Sequence, residues 1–380
     1  MDTFARAIYG LVSTVSFALY ASSAAGQNAI VHPSKASLTG TATERVVGLR
    51  DTGSTDVNLD RQARRLRAAT RIDSIGELDG DESTVLGLIN DIAVDERGRV
   101  FVLDMGFSNL RVFSADGTPE FTIGQKGSGP LDLRFGVSIW ATGNGAVAVT
   151  DAVLGTKYIA AENKAATRLL RVVPATGNPS GACESKRQLI TFSPGAKPTD
   201  RLVRKLDAAG RELNSYGEVY TASSSLARMI MSEGTVGCMT DGSTVSTQST
   251  LPFILSHTAD GAERWRLRLR DFTPGRELEE VDEKSRHSIG MDPKSVTSSY
   301  TYRITPFGGY AIIQVGYRTA RSMRNRVLWE RLDTYLADIN TGKAVFVSAR
   351  LPMLDEIRGS SVYGFDNDPY PRVIRLRINP

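Results

Sequence analysis

Five arginines stand close together between Tyr317 and Arg331, namely Arg318, Arg321, Arg324, Arg326 and Arg331, interleaved with Tyr317, Met323 and Trp329. Guanidinium groups gathered in one loop can hold a carboxylate or phosphate through paired hydrogen bonds, which makes Arg318, Arg321 and Arg324 candidate anion ligands. The plainer reading of the same stretch is a solvated basic loop. A second group, Arg61, Arg64, Arg65, Arg67 and Arg71, reads as part of a solvated lead-in. Only three histidines occur, His32, His257 and His287, and they are scattered. Zinc chemistry needs several such ligands converging, so each histidine reads as a surface residue. No Gly-x-Ser-x-Gly nucleophile elbow is present. Asp104 and Asp151 end corresponding strands; carboxylates that recur in this way can surround calcium or accept hydrogen bonds from the adjoining loop backbone, and the second role is preferred. The run Gly124-Gln125-Lys126-Gly127-Ser128-Gly129-Pro130 lacks the Gly-Lys-Ser/Thr order and the following helix of a phosphate cradle, so it reads as a turn.

These groups belong to a chain of 380 residues, 41% hydrophobic and 23% charged, which is enough to bury a sizeable core. The formal charge of +4 is too small for this size to argue for nucleic acid, while acidic surfaces and anionic small molecules remain open as partners. Residues 1–26 read as a secretory signal: Arg6 in a short n-region, an apolar run from Ile8 to Tyr20, then the small residues Ala21 to Gly26. The alternative is an uncleaved anchor. Export, to the periplasm or beyond the cell, would let Cys183 and Cys238 form a disulfide, the other reading being two separate buried thiols.

The elements that position these groups follow from a repeat. Ser74-Ile75-Gly76, Asp91 to Val94, Gly98, Val100 to Asp104 and Arg111-Val112 recur as Thr122-Ile123-Gly124, Ser138 to Ala141, Gly145, Val147 to Asp151 and Tyr158-Ile159. Gly98 and Gly145, Asp104 and Asp151, and Arg111 and Tyr158 each stand 47 positions apart. Within the first unit, β-branched and aromatic runs separated by Gly or Asp-Gly turns predict strands at 89–94, 100–104, 110–113 and 120–123. Later units keep the turn between the last two strands, at Gly210, Gly261 and Gly342. Six such units are predicted, near 88–123, 137–173, 183–217, 226–269, 298–348 and 357–379. The last lacks an outer strand, which Thr70 to Leu78 can supply, closing the ring and removing exposed sheet edges. The fold class is therefore all-β, a six-bladed β-propeller over 70–380 with an N-terminal strand closing the last blade. Residues 27–69 read as a flexible lead-in, and Thr273 to Ser288 as a short helical insertion.

The motif set Ile92-Ala93-Val94-Asp95 with Gly98, Val100 to Asp104, Asn109 to Phe113, Asp116-Gly117 and Ile123 to Pro130 resembles the NHL-repeat six-bladed propellers, in particular exported bacterial ones. The resemblance covers residues 74 to 160. It implies a fold and a site location rather than a reaction, since that family spans binding platforms, lyases and hydrolases. Propeller lactonases of similar build hold a divalent metal at the channel mouth with Glu, Asn and Asp. Asn90 and Asp91 occupy such a place here, but later blades offer no matching Glu and Asn. The expectation is a monomeric, non-catalytic binding or scaffold propeller with no cofactor. Its partner would be a protein, a glycan or an anionic small molecule, met by Arg318, Arg321, Arg324, Asn90 and Asp91. The alternative is a hydrolase or lactonase dependent on calcium or another divalent metal.

Overall fold

The structure, a computed structural model, describes residues 29–31, 42–220, 225–273, 277–280, 288–290, 297–319 and 329–379. The expected signal peptide, 1–26, lies outside these residues. Six blades, each with four antiparallel strands and the fourth with one strand more, are built in chain order around one axis. Blade 1 comprises Ile89–Val94, Val100–Asp104, Asn109–Phe113 and Pro119–Ile123, each within a residue of the expected bounds. The innermost strands of blades 2 to 6 are Gly136–Gly143, Gly181–Ser185, Gly234–Cys238, Thr297–Phe307 and Met353–Arg358. Gly117, Gly210, Gly261 and Gly342, in the recurring turn before the outer strand, have φ of 91°, 82°, 89° and 68°. That left-handed conformation is open to glycine at little cost, which is why the turn outlasts the rest of the repeat.

Thr70–Ile75 pairs antiparallel with Arg372–Arg377 and completes blade 6, so the two ends of the domain are joined as expected. Each sheet buries both faces against its neighbours, and the core therefore lies between blades. Phe101, Leu103, Ile139, Val149 and Ile159 fill the space between blades 1 and 2, and Val245, Ile254, Trp265, Ile313 and Tyr335 that between blades 4 and 5. Inter-blade connections and the loops between second and third strands share one end of the ring, the loop-rich face.

Two expectations are corrected. The lead-in is ordered over much of its length: Glu44–Val47 adds in parallel to Glu263–Leu269 as a fifth strand of blade 4, and Val57–Arg67 is a helix, α1. Asp56 caps α1 by accepting from the Asn58 and Leu59 amides, and Leu59, Ala63 and Leu66 are buried against Val345, Val347, Ile374 and Leu376 of blades 5 and 6. That three-residue stripe is diluted by four arginines and so looks solvated in sequence. Arg67, however, donates to the Phe346 and Val347 carbonyls along the edge of blade 5. The insertion is also corrected. Its described parts, Glu277–Glu280 and Ser288–Gly290, are strands that pair with each other, and the first pairs with Ala29–Val31. A partner strand roughly 250 positions away leaves no local signal to compete with helix-start residues at Thr273 and Pro274. Residues 274–276 and 281–287 lie outside the described set. No described helix is long and apolar enough to cross a membrane.

Candidate functional site: the channel mouth on the loop-rich face

Inner strands begin at the loop-rich face, and four of them carry a one-residue bulge near that end, at Asn90, Val137, Tyr302 and Asp355. Bulges re-aim side chains, and at or directly after them stand the polar residues Asp91, Ser138, Arg303 and Asp355. Asp355 accepts from the Ile92 amide at 2.6 Å, Asp91 from the Ile139 amide at 2.9 Å and the Ser138 hydroxyl from the Ala182 amide at 2.9 Å. Blades 6, 1, 2 and 3 are thus joined by side chains at corresponding levels. Asn367 exchanges two bonds with the Ile89 backbone where the ring closes, and Arg358 donates to the Val94 carbonyl there.

Arg303 of blade 5 completes this girdle. Its guanidinium lies 3.1 Å from Asp91 and 3.2 Å from Asp355, and donates to the Asn90 carbonyl at 2.7 Å. Burial holds the Asp91 pKa well above the usual carboxylate range, with Arg303 opposing the shift and Asp355 adding to it. The Asn90 amide donates to the Gly136 and Val137 carbonyls of blade 2. The residues expected to hold a metal are therefore tied to the protein's own cation and backbone. This set does not fit a divalent ion, because a guanidinium already stands between the two carboxylates. Among the described residues no group of three or more His, Cys, Asp or Glu is arranged to hold a metal.

The loops around the mouth are fixed by the two recurring aspartates. Asp104 accepts from the amides of Gly87, Leu88, Gly106 and Phe107, and Asp151 from those of Arg134, Phe135, Val153 and Leu154. Each carboxylate staples an inter-blade connection to the loop after the second strand, the preferred reading from sequence. The glycine-rich run is a turn, with the Lys157 ammonium donating to the Gly129 and Asp132 carbonyls.

Blade 5 differs from the rest. Its inner strand has eleven residues, against five to eight elsewhere, and pairs with the ten-residue Tyr310–Thr319. Five residues precede its bulge where blades 1, 2 and 6 have one or two, so this hairpin rises roughly 10 Å above the mouth. Ser298 pairs with Arg318 and Tyr300 with Gly316 on this wall. The Tyr300 and Tyr302 rings lie 4.8 Å apart, the Tyr302 and Trp329 rings 5.1 Å, and the Arg318 guanidinium sits 5.7 and 5.4 Å from the two tyrosines. A Cβ on Gly316 would stand 2.5 Å from the Tyr302 ring, so a glycine there lets the ring lie against the sheet. Arg318 thus stands over the Tyr300 and Tyr302 rings on the wall of blade 5, while Asn90 and Asp91 are met by Arg303 of the same strand as those tyrosines. Arg321 and Arg324 lie outside the described residues. Sequence reasoning missed Arg303, Asp355, Tyr300 and Tyr302. Aligning inner strands on their bulges would bring Arg303 opposite Asp91, but blades 5 and 6 have drifted too far for the repeat to show it.

Cys183 and Cys238 form a disulfide between the inner strands of blades 3 and 4, with Cα atoms 5.8 Å apart. His257 is not a surface residue: it is 4% exposed, stacked 4.7 Å from Tyr216, and burial beside Arg266 lowers its pKa to about 4. His32 and His287 lie outside the described residues.

The chain is a six-bladed β-propeller, and solved structures share that architecture. A protein from Bacteroides fragilis described as exported matches with 13% identity over 89% of this chain and 100% of its own, TM-score 0.54. A member of the DUF4221 family from Bacteroides vulgatus matches with 9% identity over 82% and 97%, TM-score 0.52. Virginiamycin B lyase from Staphylococcus aureus matches more loosely, with 10% identity over 82% and 98%, TM-score 0.42. At these identities the likeness is one of fold. No protein-family model matches the chain, and no curated protein matches it in sequence.

Proposed function

We propose that this chain is an exported, non-catalytic binding propeller of NHL-like type that holds an anionic ligand on its loop-rich face. The observation that carries the reading is the Asp91–Arg303–Asp355 cluster. It spends the axial carboxylates on joining blades, whereas a propeller hydrolase needs them open to metal and substrate. Cationic and aromatic groups instead line the raised wall of blade 5, and stapled loops on blades 1 and 2 keep the mouth rigid, which favours binding by limiting the ordering cost. The disulfide and the signal-like start support export to an oxidising compartment.

The test is a thermal-shift screen of the mature chain, beginning at Gln27, against carboxylates, phosphates, sulfated compounds and acidic oligosaccharides. Anions should raise the midpoint, and the combined Arg318→Ala, Arg321→Ala and Arg324→Ala variant should lose the response. An unchanged response in that variant, or metal-dependent turnover of lactones or esters, would overturn the reading.

A further inference from the structure

The girdle at the channel mouth is interrupted between blades 3 and 4. Asp355, Asp91 and Ser138 each accept from an inner-strand amide of the next blade, at Ile92, Ile139 and Ala182. Ser138 stands directly before Ile139, and the corresponding place in blade 3, directly before Ala182, is Gly181. A Cβ there would lie 3.4 Å from the Val236 nitrogen of blade 4, so the backbone is in position for the link and glycine carries no acceptor for it. Two residues further along both strands, Cys183 and Cys238 join the same two blades covalently.

The rest of this junction is polar. The apolar clusters between blades 1 and 2 and between blades 4 and 5 draw several buried residues from each side. Between blades 3 and 4, Val236 is the one buried member that blade 4 contributes. Blade 4 instead turns buried Thr244, Ser246, Gln248 and His257 toward blade 3. The Thr244 hydroxyl bonds the Tyr216 hydroxyl, the Gln248 amide donates to the Glu218 carbonyl, His257 stacks on Tyr216, and Ser246 shares their face by strand alternation. Among the described residues, His257 Nδ1 and Gln248 Oε1 have no hydrogen-bond partner. Water can satisfy all of these groups, so they contribute little to holding the blades together. Both cysteines are half-buried, within reach of a small reductant.

We propose that the Cys183–Cys238 bond is a redox clasp: it stands in for the missing girdle link, and its reduction lets blades 3 and 4 part while the other junctions hold. A dithiol reductant supplies two electrons and two protons. Its own sulfurs join as a disulfide, the Cys183–Cys238 bond breaks, and each cysteine is left as a thiol.

The test is hydrogen–deuterium exchange at peptide resolution on the chain begun at Gln27, first oxidised, then reduced with dithiothreitol, then reoxidised. Cys183 and Cys238 are the only cysteines of the chain, so the reagent acts nowhere else. Reduction should speed exchange roughly tenfold over residues 181–192 and 234–257, leave blades 1 and 2 unchanged, and be undone by reoxidation. Carbethoxylation of His257, read by peptide mass, should accelerate on reduction by a similar factor, and neither readout needs a cysteine variant to fold. A bond that dithiothreitol leaves intact in the folded chain would overturn the proposal. So would exchange that rises equally in all six blades, or a His257 that stays protected after reduction.

Discussion

Arg303→Met removes the guanidinium that stands 3.1 and 3.2 Å from Asp91 and Asp355 while keeping an aliphatic stem of similar length. Two carboxylates whose side chains are only 5% and 7% exposed would then share the channel without a counter-ion. Breaking a buried pair from one side costs about 3–5 kcal/mol. Unfolding entropy of about 2.1 cal/mol/K per residue gives a chain begun at Gln27, roughly 350 residues, about 0.7 kcal/mol/K, so the midpoint should fall by about 5 °C near pH 7.5. The sign of the pH dependence follows from Asp91, whose folded pKa is raised above its unfolded value. A raised carboxyl binds its proton more tightly in the folded state, and stability declines as pH climbs from the unfolded pKa through the folded one. Removing Arg303 raises that pKa further, so the gap between variant and parent should widen with pH and narrow toward pH 4. Calorimetric melts of both proteins at pH 4.5, 6.0 and 7.5 measure this directly. A variant as stable as the parent at pH 7.5, or a gap independent of pH, would refute the assignment of Arg303 as the counter-ion of the girdle.

Three further outcomes follow. Loop-closure entropy for two cysteines 55 residues apart implies that replacing both Cys183 and Cys238 by alanine costs about 4 kcal/mol, read as a lower urea midpoint with an altered slope; an unchanged midpoint would contradict a formed bond. His257, with its pKa lowered from 6.5 to about 4, should make stability fall as pH drops between those values by about 3 kcal/mol in all. The variant His257→Gln should flatten that stretch of the profile, and an identical profile would remove the histidine from the account. Asp104→Ala leaves four amide donors without their carboxylate and should cost at least about 3 kcal/mol by calorimetry, against little change for exposed Asp116→Ala.

The first two blades are legible in the sequence because their repeat preserves both apolar alternation and turn glycines at fixed offsets. Ile75-Gly76 matches Ile123-Gly124, and that short match was sufficient to find the closing strand. Asp104 and Asp151 were readable as staples because each recurs at the end of a second strand beside a loop with amides to satisfy. The girdle was not readable, since Arg303 meets Asp91 from more than 200 positions away and no local pattern marks either as a partner. Helix α1 was hidden by its arginines, two of which, Arg65 and Arg67, bond with their charged ends to the Asn379 and Val347 carbonyls, leaving their stems to lie along the protein surface. His257 was misplaced because it lies beside a turn, where exposure is the common outcome, and only the packing of blades 3 and 4 buries it.

The most direct test of the account is the thermal midpoint of the chain begun at Gln27 with calcium, magnesium, manganese or zinc, and then with chelator, at matched ionic strength. A ligand that binds only the folded state raises the midpoint by mass action. With Arg303 between the axial carboxylates, none of the four metals should shift it. A rise of several degrees that chelator reverses and Asp91→Asn abolishes would contradict the account and return the channel mouth to metal chemistry.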